Sequence, residues 1–204
     1  MKVKEILKIS SENIEKRKIL FQFALMILAA CVGGVCFTEA VAPYLSFRVG
    51  QRIVLSFSAP AFSEFKLIDF IYKVIKSCLP YFISVGVVLV FSFSYVSYVI
   101  SDIVLAINGF YTGMLITLVN IYTMRIQMAS SVIFIICIAT SLLILFCFTY
   151  YCALFSLNVR MRVSAINGRM ALSLAGLLLI IIKTLAVCGT FIALAFIRNF
   201  ALLF

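Results

Sequence analysis

Three stretches of this chain carry no charge at all: Cys78 to Ser101, Ile103 to Met124 and Ile126 to Val159. Each exceeds the roughly 20 residues a helix needs to cross hydrocarbon. Two further apolar runs cover about 19–41 and 170–197. Segments of that length cannot all be hidden inside one 204-residue water-soluble core, so lipid is the solvent the fold must answer to. In lipid every backbone N–H and C=O must be satisfied within the segment, which selects α-helices. The expected fold is therefore all-α: a polytopic α-helical membrane bundle of about five transmembrane helices plus amphipathic surface helices.

Boundaries follow from the charges. Residues 1–18 are polar and basic, with Val3, Ile6, Leu7 and Ile14 at helical spacing, and read as an amphipathic cytoplasmic segment. The rest, 19–204, reads as one membrane domain with spans at about 19–41, 77–100, 102–122, 129–155 and 170–197. The first run is too long for a signal-peptide core and is expected to be a retained span. Between spans one and two, Lys66, Asp69, Lys73 and Lys76 form a polar stripe opposite Leu67, Ile68, Ile71, Val74 and Ile75. That pattern predicts an interfacial helix over about 62–76. Ser101 and Asp102 are expected to make the tight turn between spans two and three, with Asp102 capping the start of span three. Arg160, Arg162 and Arg169 fall in a turn before span five, and Arg198 near its end. Six basic residues before the first span, together with that arginine turn, place the N-terminus in the cytoplasm.

Composition removes several function classes. The chain has 17 Lys and Arg against 7 Asp and Glu, an excess that belongs beside anionic headgroups rather than on nucleic acid. It has no histidine, which removes Ser-His hydrolase, His-ligated haem and zinc-peptidase sites. Cys31 and Cys36 are five apart, as are Cys147 and Cys152, so neither pair shares a helix face. The thiols read as small buried hydrophobes, with no metal and no cofactor expected. Neither a paired set of acids nor a nucleophile with its base is present, so no catalytic residue is assigned and no enzyme is expected.

Few residues remain to carry function. Lys183 falls near the middle of the expected fifth span, where a charge costs at least about 2.5 kcal/mol and should face protein or water. Gly176, Ala186 and Thr190 point to an inward face, and Glu39 and Asp102 are the candidate partners. Two readings stay open: an ion pair that fixes helix register, or part of an ion or substrate path. Under the first, Lys183→Met inserts and keeps activity; under the second it does not. Asn108-Gly109-Phe110-Tyr111-Thr112-Gly113 places Gly109 and Gly113 one turn apart in an apolar helix, a face for close helix packing or partner contact. Gly33-Gly34 suits the same use.

A basic N-terminal helix, one span, an amphipathic loop and four more spans, with this Gly-x-x-x-Gly stretch in span three, resembles the stage II sporulation protein M family of bacterial multi-pass membrane proteins. Local similarity runs from about Pro80 to Leu118. The resemblance implies a non-catalytic scaffold in the cell membrane that assembles with membrane-anchored peptidoglycan hydrolases during engulfment of the forespore. Other members of that family accompany membrane transport systems, so a transport subunit, such as a permease component beside a transporter ATPase or a small carrier, is the alternative. In both cases the expected partners are the lipid bilayer and other membrane proteins.

Overall fold

A computed structural model of the chain describes residues 2–56, 67–92, 94, 96–123, 128–165 and 174–201. Among these there is no strand, and six α-helices carry the fold: α1 (Lys2–Cys36), α2 (Phe47–Ser56), α3 (Leu67–Phe91), α4 (Ser97–Thr123), α5 (Met128–Ala165) and α6 (Leu174–Ala201). A π-helical turn (Phe37–Val41) and a 3₁₀ turn opened by Pro43 end the first span and lead to α2. Five helices are long and apolar enough to cross a membrane, with spans Arg17–Tyr44, Phe70–Phe91, Ser97–Tyr122, Ser131–Ser156 and Leu178–Phe200. The protein is a multi-pass helical membrane bundle. The end at which α1 enters is called proximal below, and the opposite end distal.

Several boundaries differ from the sequence reading, each for a local reason. Ser101 and Asp102 do not form a turn: both lie inside α4, and the chain reverses between Phe91 and Ser97. That connection is rich in serine, and serines offer backbone groups a competing partner. Ser92 Oγ donates to the Val88 carbonyl at 2.6 Å, and the Val96 N–H donates to Ser94 Oγ at 3.3 Å. An uncharged turn is invisible to a search for charge, so Asp102 was the only marker available. The polar stripe of Lys73 and Lys76 is no separate surface helix. From Leu67 it is the first part of α3, running unbroken into the span; residues 62–66 lie outside the described residues. Arg160 and Arg162 extend α5 by two turns, whereas Arg169, Asn167 and Gly168 lie outside the described residues. The amphipathic α2 is an addition; its Phe47 ring packs 5.9 Å from the Tyr122 ring, placing it under the distal end of α4.

α4 and α5 are the centre of the bundle. α1 packs chiefly on α4, while α6 packs on α5 and α3. The core is divided accordingly. Phe37, Leu118, Val119, Phe134 and Ile138 fill the distal half between α1, α4 and α5. Val85, Val88, Leu145, Phe148, Ile180 and Phe191 fill the space between α3, α5 and α6. Only 17% of the α1 and α6 spans is buried within the chain, against 44% for α5, so the two outer helices present most of their surface to what surrounds the bundle.

Candidate functional site

Glycine decides how α1 meets α4. Both helices run from proximal to distal, so they pack in parallel. A Cβ at Gly109 would lie 2.6 Å from the Met26 carbonyl oxygen and 3.3 Å from Ala29 Cβ. One at Gly113 would collide with the Ala30 carbonyl, and one at Gly33 with the Phe110 carbonyl. The Gly-x-x-x-Gly face is therefore spent on α1 of the same chain, in the close backbone approach small residues permit. It is not a surface open to a partner. Asn108, on the neighbouring face of α4, is buried and donates from Nδ2 to Ser84 Oγ and to the Val104 carbonyl, both at 2.8 Å. Ser84 in turn donates to the Pro80 carbonyl, so a short polar chain ties α4 to α3 in the dry interior.

Asp102 is held by α1. Gln22 Nε2 donates to Asp102 Oδ1 at 2.6 Å, and one turn earlier Lys18 Nζ sits 4.5 Å over the Tyr98 ring. These contacts fix the register of α1 on α4 at the proximal end. Glu39 is exposed in the π-helical turn at the distal end.

Lys183 pairs with neither acid. α6 is described from Leu174, and Lys183 lies nine residues along it, about 13.5 Å from that end. Glu39 lies in the turn that ends the first span, at the distal end. Asp102 faces α1, whereas Lys183 faces α5. Its ammonium is 3.5 Å from the centroid of the Tyr151 ring. The expected inward face is also wrong: Lys183 is exposed, on the outer side of the bundle. Ile180, three residues earlier, is the position that points into the core.

Around Lys183 the outer surfaces of α5 and α6 form a groove of about 420 Å³. Leu143, Cys147 and Phe148 form one wall, Ala186 and Val187 the other, with Lys183 and Tyr151 at the proximal end. Continuing along α6, Gly189, Thr190 and Ala193 are exposed, and a Cβ at Gly189 would meet nothing within 4 Å. Among the described residues Lys183 is the one charge of this apolar groove, and its contact with the Tyr151 ring holds the ammonium at the level of that residue. A cation–π contact returns about 0.5–2 kcal/mol, less than the cost of the charge at mid-bilayer. The arrangement accommodates an acceptor arriving from outside the chain.

Among the described residues no group of three His, Cys, Asp or Glu is placed to hold a metal ion. The seven cysteines are free thiols; Cys78, Cys137 and Cys152 are buried, but Cys31, Cys36 and Cys147 face outward, unlike the buried hydrophobes expected. Tyr151 was not singled out from sequence; its place beside Lys183 on the opposing helix follows only from packing. No family model, no curated protein and no solved structure matches the chain.

Proposed function

We infer that this protein is a non-catalytic membrane scaffold that recruits a partner through the outer groove between α5 and α6. The observation that carries this reading is Lys183: an outward-facing ammonium in an apolar groove, met among the described residues by an aromatic ring and no acid. A partner transmembrane helix bearing a carboxylate at matching depth supplies the missing charge, and the small residues Ala186, Gly189 and Ala193 let its backbone approach. Helix faces rather than a reactive constellation then carry the function. By resemblance to the sporulation protein M family, the partner is a membrane-anchored peptidoglycan hydrolase and the process is cell-wall remodelling of the engulfment type. The six basic residues in the first half of α1 support a cytoplasmic N-terminus.

The test is co-purification from native membranes with Lys183→Met, which keeps the apolar stem and removes the charge. Normal insertion with loss of a partner whose membrane helix carries an acid is the expected result. Full partner recovery counts against the scaffold. Loss of cellular activity with unchanged partner recovery promotes the transport-subunit alternative.

A further inference from the structure

A second charged feature lies at the distal end, remote from the Lys183 groove. A cavity of about 370 Å³ opens between α3, α4, α5 and α6, within the roughly 300–1,000 Å³ range of small-ligand sites. Its polar lining is cationic: Lys73 and Lys76 of α3 and Arg198 of α6, with Tyr111, Pro80 and Phe134 around them. Lys73 has a contact of its own within the chain, so Lys76 and Arg198 are the cations the cavity presents to a ligand.

Arg198 is the centre of this cavity and is 5% exposed. One terminal nitrogen donates to the Ser77 carbonyl at 3.3 Å, and the guanidinium carbon sits 5.4 Å from the Phe134 centroid. Its Nε–H is buried with no hydrogen-bond partner. A guanidinium carries five N–H donors in a planar fork, so a carbonyl and a ring leave much of it unsatisfied. A buried charge in that condition needs a counter-anion.

Position narrows the choice of anion. Arg198 lies in the last turn of α6 and Lys76 in the first half of α3, so both belong to the distal end of the bundle, toward the membrane surface. Leu115 and Phe134 give the same cavity an apolar wall.

We propose that Arg198 and Lys76 form a binding site for a phosphate-bearing anion, either a phospholipid headgroup or a soluble phosphate. Arg198 supplies a bidentate or forked contact to phosphate oxygens, Lys76 at the rim supplies a point charge, and the apolar lining accepts the base of an acyl chain.

Binding to the full-length protein in neutral detergent tests this, by native mass spectrometry for dioleoyl-phosphatidylglycerol and by competition with inorganic phosphate. Arg198→Gln and Lys76→Gln are each expected to weaken binding by about tenfold, the scale of one charge-assisted hydrogen bond. Arg52→Gln, on the exposed α2 at the same end, is expected to leave it unchanged and so corrects for general attraction to anionic lipid. Retention of the lipid without competition by phosphate assigns the site to a headgroup; displacement by phosphate assigns it to a soluble anion. Should Arg198→Gln fail to fold, Lys76→Gln decides alone, because Lys76 is exposed. Absence of binding by either probe, or equal affinity in wild type and Lys76→Gln, overturns the proposal.

Discussion

Replacing Gly113 by alanine should separate α1 from α4. A Cβ there overlaps the Ala30 carbonyl, and the obstacle is backbone that cannot rotate aside. The neighbouring glycine gives the scale. At Gly109 a Cβ would lie 2.6 Å from the Met26 oxygen, whereas a relaxed C···O contact is about 3.3 Å, so the helices must part by about 0.7 Å. A gap of that size forfeits a quarter to a half of each dispersion contact along the seam, and overpacking of this kind costs about 1–3 kcal/mol. Alanine also gains about 0.8–1.0 kcal/mol of helix propensity over glycine, which hides part of the cost. Gly189→Ala supplies the correction, since its Cβ meets nothing within 4 Å and only the propensity changes. The difference between the two variants isolates the packing cost, and should be about 1–3 kcal/mol. Unfolding by SDS titration in mixed micelles, followed by near-UV circular dichroism of the tyrosines, measures it. Equal midpoints for Gly113→Ala and Gly189→Ala would refute close packing of α1 on α4.

Other consequences are equally specific. A double-mutant cycle on Gln22→Leu and Asp102→Asn should show a coupling of about 1 kcal/mol, because interhelical hydrogen bonds in membranes reach that size; additive effects would dissolve the pairing. Asn108→Leu should destabilise by about 1–2 kcal/mol in the same titration, since it leaves the buried Ser84 hydroxyl without its donor; a neutral result would mean that the α3–α4 polar link contributes nothing. A membrane-permeant maleimide should label the outward-facing Cys31, Cys36 and Cys147 well before the buried Cys78 and Cys152, and the reverse order would invert the faces assigned to α1 and α5.

The bundle itself was legible because lipid leaves the backbone so few choices: uncharged runs of the right length mark spans whatever packs beside them. Span ends were less so. The α3–α4 turn is made of serines with no charge among them, so the nearest charge, Asp102, took a turn role that belongs to Ser92 and Ser94. Facing was the least legible property. Small residues flank Lys183 on one side of α6 and suggested an inward face, but on this helix the core is entered by Ile180, Phe191 and Ala195 instead. A small-residue stripe marks close approach without saying whether the approaching helix belongs to the same chain. The stripe of Gly109 and Gly113 meets α1 of this protein, whereas among the described residues Gly189 has no neighbouring helix against it and Ala186 borders the open groove. Arg198 was read as an ordinary span-end cation. One signal could have marked it: five crossings bring the start of α3 and the end of α6 to the same side, so Lys73, Lys76 and Arg198 must share a level.

The scaffold reading stands or falls on what fills the outer groove between α5 and α6. A photo-crosslinking amino acid at Leu143, exposed on the groove wall, reads its occupant in living cells. The expected product is one membrane protein, cross-linked through a transmembrane helix that carries Asp or Glu, and the product should disappear with Lys183→Met. Cross-links to lipid alone, or a protein adduct indifferent to the loss of the Lys183 charge, would contradict it.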